Sequence, residues 1–267
     1  MKNKIKYLLN AARRLIEVPF CASCSERLSP FPQKGISTSE YVCLCADCAA
    51  KWHMAKSKMC PKCAETAEKC VCTPKFFKKH QEYIPSVCFY ANDGGNVPSN
   101  TILTFKHKKC GDLSRFLASE LAPKIRELLK NRDISSEDLI ITWIPRQRKN
   151  IKKYGFDQGE RLAYCLSKEL GAALVPIFKR RSGKEQKNLD KTMRRQNAES
   201  SIALRAQTRF MGKKADIREV VEKRNLIIVD DIITTGATLR RGALLALPLK
   251  PKNLVCATVA KSTLNKE

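Results

Sequence analysis

The chain has 267 residues, 43% apolar and 29% charged, a composition that excludes disordered and fibrous proteins and leaves room for one α/β domain plus a smaller module. Lys and Arg number 51 against 26 Asp and Glu, and the resulting net charge of +25 predicts polyanionic partners. No window reaches the roughly 18 consecutive apolar residues that a membrane-spanning helix needs, so no membrane span is expected.

Residues 1–20 begin as a basic signal peptide would, but Arg13 and Arg14 cut the apolar stretch short and no small-residue cleavage site follows. The expectation is a short N-terminal amphipathic helix with Ile5, Leu8, Leu9, Ala12 and Ile16 on one face, and a cytoplasmic protein. Without an export signal, the 13 cysteines read as thiols in a reducing compartment, where metal binding outweighs disulfide formation. Nine of them lie between Cys21 and Cys72, as Cys21-x-x-Cys24, Cys45-x-x-Cys48, Cys60-x-x-Cys63 and Cys70-x-Cys72, with Cys43 as a spare. A tight Cys pair on a knuckle turn aims two thiolates at one point about 2.3 Å from Zn²⁺, and two pairs complete a tetrahedron. One structural zinc is therefore expected on Cys21, Cys24, Cys45 and Cys48, and a second on Cys60, Cys63, Cys70 and Cys72. A crossed pairing satisfies the same spacings. With four thiolates and no open position such sites are structural, and two of them trim the charge to roughly +21. Redox chemistry needs one thiol pair, not four. His53, between Trp52 and Met54, reads as packing rather than as a ligand. Residues 21–81 are thus read as a cysteine-rich, double zinc ribbon domain ending in a basic link, and 82–267 as the larger domain.

Within the larger domain a first strand is expected near 83–93, and a helix over 113–131 with a kink or break at Pro123. Strands follow at 139–145, 173–178, 225–231 and 254–260, and helical spacing marks 159–170. Strands alternating with helices predict an α/β fold with a mainly parallel sheet flanked by helices. Cys88, Cys110, Cys165 and Cys256 read as small buried hydrophobes. From residue 146 to 214 the chain carries 19 Lys and Arg against 6 Asp and Glu, over half of the total surplus.

Residues 226–238 read Leu-Ile-Ile-Val-Asp-Asp-Ile-Ile-Thr-Thr-Gly-Ala-Thr. A buried strand ends in two adjacent carboxylates, Asp230 and Asp231, and a small, hydroxyl-rich turn opens a helix. Ligands of open parallel sheets bind beyond the carboxyl ends of the strands. The turn Thr234, Thr235, Gly236, Ala237 and Thr238 offers backbone N–H groups and hydroxyls to a phosphate. No Walker lysine is present, and the carboxylates would repel a phosphate, so they are expected to meet hydroxyls or a metal shell. A ribose 5-phosphate fits both halves. This stretch resembles the loop of type I phosphoribosyltransferases that binds phosphoribosyl pyrophosphate (PRPP).

The order of further motifs narrows the resemblance. Cys pairs are followed by TFKHKKCGD at 104–112, WIPRQRKNIKKYGFDQGERLA at 143–163, and Gln186-x-x-Leu189-x₄-Arg194-Arg195-x-Asn197. Over about residues 20–260 this resembles the ComF family, in which a zinc-ribbon module is joined to a phosphoribosyltransferase-like domain associated with DNA uptake in natural transformation. The family's Arg-Gly-Phe-Asn-Gln stands here as Tyr154-Gly155-Phe156-Asp157-Gln158. The resemblance implies that Asp230 and Asp231 are the catalytic carboxylates holding the ribose. It further implies that Thr234–Thr238 take the 5′-phosphate, and Arg146 and Arg148 the Mg²⁺-bound pyrophosphate. A basic surface including Lys152, Lys153, Lys184, Lys187, Lys191, Arg194 and Arg195 would take single-stranded DNA, with DNA-uptake or recombination proteins as partners. Trp143, Tyr154 and Phe156 are either base-stacking or core residues, core being the commoner role of such aromatics. An active transferase with an unknown acceptor is the alternative, although no base-gripping hood is expected after the last strand. A zinc-ribbon adaptor carrying an inactive fold is the third.

Overall fold

The computed structural model of the chain describes residues 19–28, 43–91, 95–180 and 201–262. Most of the expected N-terminal helix, and Lys184, Lys187, Lys191, Arg194 and Arg195, lie outside the described residues. The strands and helices are arranged as an α/β domain. Five parallel strands form the central sheet: β1 (Ser86–Tyr90), β2 (Leu139–Trp143), β3 (Ala173–Leu174), β8 (Asn225–Ile233) and β9 (Asn253–Ser262), in the order β1-β9-β8-β2-β3.

The sheet is covered on both faces, and strand periodicity divides the core in two. Ile227 and Val229 of β8 face the layer built by α3 (Val97–His107), α4 (Gly111–Asn131) and α6 (Gln158–Leu170). Their neighbours Leu226 and Ile228 face the opposite layer, with α7 (Ile217–Val221) and α8 (Ala237–Ala246). All four side chains are at most 1% exposed, which is why this stretch reads as a continuous apolar run rather than an alternating one.

Helix α4 passes through Pro123 without a break. Leu113, Leu117, Leu121 and Ile125 recur at helical spacing and are fully buried, and this packing outweighs the one backbone hydrogen bond that proline removes. The expected strand over 173–178 divides instead. Only Ala173 and Leu174 pair with β2; Phe178–Arg180 forms β4, antiparallel to β5 (Ile202–Leu204). Pro176 between them has no N–H to offer a ladder. A second hairpin joins β6 (Gln207–Phe210) to β7 (Lys213–Asp216).

The cysteine-rich region packs on α4. Helix α1 (Ala46–Lys56) buries Trp52 against the Phe116 ring, centroids 5.4 Å apart, and the indole Nε1–H donates to Glu120 at 3.0 Å. Ion pairs Lys56–Glu120 (2.8 Å), Lys69–Glu127 (3.0 Å) and Lys124–Glu68 tie the same surfaces. His53 lies exposed on the other face of α1, because Cys48, Trp52 and Ala55 take the packed face. Cys88 and Cys256 are buried, whereas Cys110 and Cys165 are only partly so. Among the described residues no helix is long and apolar enough to cross a membrane.

Candidate functional site

Strands β2 and β8 run side by side, with Trp143 opposite Val229. The residues just past these two partners therefore meet at one end of the sheet: Ile144, Pro145 and Arg146 on one side, Asp230 and Asp231 on the other. Asp231 is buried, and its carboxylate accepts from Gln158 Nε2 at 3.1 Å and pairs with Lys106 Nζ at 3.6 Å. The same side chain accepts from the Ile232 N–H at 2.7 Å, and Asp230 accepts from the Asp231 N–H at 2.9 Å. Burial, reinforced by the Asp231 charge, pushes the Asp230 carboxyl up to about 8. The result is an acidic corner in which Lys106 pairs with Asp231 and the protonated form of Asp230 is favoured at neutral pH.

Beyond Ile233 the chain turns through Thr234 and Thr235, both exposed, into Gly236 with φ of 71°. That left-handed conformation favours glycine. Crowding restricts the position as well: an added Cβ would lie 2.9 Å from Phe77 Cε2 and 3.0 Å from Pro74 Cγ. Helix α8 starts at Ala237, so its first backbone N–H groups lack intrahelical partners where the threonine-rich turn enters the helix.

Arg146 comes off β2 and is 8% exposed. Its backbone N–H donates to Asp157 at 2.9 Å, and its guanidinium lies 4.4 Å from the centre of the Tyr154 ring. Among the described residues Nη1 finds no hydrogen-bond partner. Burial lowers its pKa, while Asp157 and Asp231 pull it back up. Asp157 also caps α6 by accepting from the N–H groups of Gly159 (2.9 Å) and Glu160 (3.3 Å), so one buried carboxylate aims the strand end and starts the helix. Arg180 donates to the Pro145 carbonyl at 2.8 Å and braces the same loop. His107 stacks on Tyr154 at 4.8 Å.

Helix α5 (Arg148–Tyr154) carries the remaining described candidates. Lys152 and Lys153 are exposed, as are Arg148 and Lys149. Arg148 therefore stands outside the buried corner that Arg146 occupies. Trp143 and Phe156 are core residues at 7% and 6% exposure; Tyr154 and, at 5.6 Å, the Phe156 ring lie against the Arg146 guanidinium. Sequence pattern does not single out Lys106, His107 or Gln158. Lys106 and His107 lie within 104–112 and Gln158 within 143–163, segments that carry the family resemblance, but their role depends on which side chain the fold turns towards Asp231.

The thiols gather into two groups, Cys21, Cys24, Cys45, Cys48 and Cys60, Cys63, Cys70, Cys72, with all four sulfurs of each within 4.8 Å of one another. Sulfurs about 2.3 Å from a central zinc are about 3.8 Å apart in a regular tetrahedron. The observed Sγ–Sγ separations include 3.7 Å for Cys24–Cys45, 3.8 Å for Cys60–Cys72 and 3.7 Å for Cys63–Cys70. Both groups could hold structural zinc, and the crossed pairing is not the one formed. The two knuckles are built alike. Ser25 and Ala64, each directly after the second cysteine, have φ of 64° and 55°, and their N–H groups bond the carbonyls of Cys21 (3.0 Å) and Cys60 (2.9 Å). Burial opposes ionisation of Cys21 and Cys63, but hydrogen bonds, led by backbone N–H donors, win and bring each down to about 7.

No known protein-family model matches the chain, and no curated protein matches it. Among solved structures it is similar to glutamine phosphoribosylpyrophosphate amidotransferase from B. subtilis, at 17% identity and a TM-score of 0.31 over 63% of this chain and 28% of that one. It is also similar to adenine phosphoribosyltransferase from Saccharomyces cerevisiae, at 19% identity and a TM-score of 0.31 over 55% of this chain and 69% of that one. A hypoxanthine phosphoribosyltransferase from Staphylococcus aureus is similar at 13% identity, with a TM-score of 0.31 over 63% of this chain and 78% of that one. The chain spans about a quarter of the length of the first of these relatives.

Proposed function

We propose that this chain is a ComF-type protein that binds PRPP at the carboxyl ends of β2 and β8 and single-stranded DNA on the adjoining basic surface, acting in the cytoplasm during DNA uptake. The observation that carries the reading is the convergence of Asp230 and Asp231, the Thr234–Thr238 turn and the buried Arg146 at one end of the sheet. Each fits one part of the ligand. Carboxylates accept from ribose hydroxyls, the turn and helix start take the 5′-phosphate, and the Arg146 guanidinium nitrogen that has no partner among the described residues takes phosphate oxygens of the pyrophosphate. Mg²⁺, when bound with the pyrophosphate, would supply charge neutralisation.

The DNA part rests on α5, whose Arg148, Lys149, Lys152 and Lys153 are exposed beside Tyr154 and the stacked His107. Exposed cations beside an aromatic pair suit the backbone and bases of a single strand. The test is a calorimetric titration with PRPP, with and without a single-stranded oligonucleotide. Micromolar binding of PRPP that Asp230→Asn with Asp231→Asn abolishes, at unchanged zinc content, is expected. Absence of PRPP binding to the intact, zinc-loaded protein overturns the reading. Oligonucleotide affinity should fall linearly with salt on logarithmic axes, and salt-insensitive binding would remove the DNA part.

One observation favours an active transferase as the second reading. Arg146 is buried, and among the described residues its Nη1 has no partner, the arrangement that stabilises charge developing on a departing pyrophosphate. Pyrophosphate release from PRPP in the presence of an amine or base would establish it.

A further inference from the structure

The segment between the second thiol group and the sheet is held at four points. Thr73, next to Cys72, is buried. Pro74 and Phe77, at the start of and within α2 (Lys75–Lys78), lie against the Cα of Gly236, and the Phe77 side chain is 1% exposed among Ile233, Leu239 and their neighbours. Gln81 then bonds both backbone groups of Cys256 in β9, donating to its carbonyl at 3.0 Å and accepting from its N–H at 2.7 Å. From the far end of β9, Lys261 reaches back and donates to the Cys70 carbonyl at 2.8 Å.

Lys261 is 4% exposed, and among the described residues no carboxylate pairs with it. Burial disfavours its charge, and its bond to the Cys70 carbonyl places the ammonium beside the second thiol group. A buried cation is costly unless an anion compensates it. Four thiolates around a divalent metal carry a net charge of about −2, which supplies that anion within the fold. The first thiol group packs on α4 and has no such link to the Thr234–Thr238 turn among the described residues.

We propose that metal binding at Cys60, Cys63, Cys70 and Cys72 positions the Thr234–Thr238 turn, acting through Pro74 and Phe77 on one side and Lys261 on the other. The second thiol group is then a strut for the anion site, whereas the first serves the packing on α4. Phe77 and Lys261 are positioning residues: neither reaches the ligand. The role assigned to the turn rests on the reading that it holds a phosphate, but the positioning itself is a property of the free protein.

The test compares the full chain with Cys60→Ser and Cys24→Ser variants by zinc content and, without ligand, by hydrogen exchange of the bonded amides that flank the turn, Ile233 in the sheet and Arg240, whose N–H donates to the Gly236 carbonyl at 2.8 Å. Both variants should lose one zinc per chain. In Cys60→Ser the amides flanking the turn should exchange at least tenfold faster, and in Cys24→Ser within twofold of the parent. Equal exchange in the two variants overturns the proposal. Should Cys60→Ser not fold, Phe77→Ala in zinc-loaded protein gives the same readout with zinc content unchanged, and Phe77→Leu should recover most of the protection. Lys261→Met should weaken zinc at one of two sites about tenfold in competition with a chelator, in line with the effect of losing a metal's outer partner; unchanged competition at both sites would likewise refute the link. Ribose 5-phosphate binding, measured in parallel, separates the two ideas: a turn that loosens in Cys60→Ser but binds no ribose 5-phosphate in the parent would retain the strut and discard the phosphate.

Discussion

Asp230 is a residue whose chemistry the fold alters strongly. In an unfolded chain its carboxyl titrates in the ordinary range near 3.8; burial and Asp231 raise it to about 8 in the folded protein. Between these values the folded state holds a proton that the unfolded state has released, so this group's contribution to stability declines as pH rises from about 4 to about 8. Asp230→Asn should remove that decline and raise the melting temperature at pH 8 while leaving it nearly unchanged near pH 4, as thermal denaturation at the two pH values would show. Hydroxyl donors favour the ionised form, so binding a ribose should expel the proton. Ribose 5-phosphate affinity should accordingly rise from pH 6 to pH 8, by at most about tenfold per unit, and calorimetry in buffers of different ionisation enthalpy should register the released proton.

The knuckles offer a second test at this scale. Ala64 and Ser25 sit in left-handed conformations that glycine adopts without strain. Ala64→Gly should stabilise the zinc-loaded protein by about 1 kcal/mol, read from denaturant midpoints at constant slope.

Among the elements, the junction of β8 and α8 concentrates the constraints. The strand stays apolar up to Val229 because both its faces are covered; the two carboxylates follow, and Ile232 and Ile233 beyond them pack into the two layers again. Gly236 must turn left-handed and also admit Pro74 and Phe77 against its Cα. Gly236→Ala is therefore expected to cost about 1–2 kcal/mol in strain before any contact is counted, and to lower ribose 5-phosphate affinity at least tenfold. Equilibrium unfolding and calorimetry on the same variant check both. The element α5 carries a different expectation. Its lysines are exposed and free of the buried network, so Lys149→Gln, Lys152→Gln and Lys153→Gln together should leave stability within about 0.5 kcal/mol. The slope of oligonucleotide affinity against salt should flatten by about 2, taking about 0.7 per phosphate contact for a single strand.

For the molecule as a whole, the cysteine-rich region and the sheet are joined through α4 and through the segment from Thr73 to Gln81. That segment reads as a basic link, yet Thr73, Phe77 and Gln81 within it are buried. Lysines at 75, 78 and 79 dominate its composition, while the residues that anchor it are spaced too sparsely to form a pattern. The ligand groups of both thiol clusters were legible for the opposite reason. A metal site is written as close pairs along the chain, whereas the choice between neighbouring and crossed combinations of those pairs was made by the fold.

The chain itself determined what depends on short-range pattern: the buried β8 run, the carboxylates and the threonine-rich turn at its end, and the Cys pairs. These are local because a strand's burial and a turn's geometry are set by neighbouring residues. Tertiary structure decided which distant side chains share the site. It turned Arg146 inward and left Arg148 outside the buried corner, brought Lys106 and Gln158 to Asp231, and set Lys261 against the second thiol group. Such contacts join residues far apart in the chain, so no local pattern encodes them; they follow from strand order and from the cost of leaving a buried charge without an opposite one.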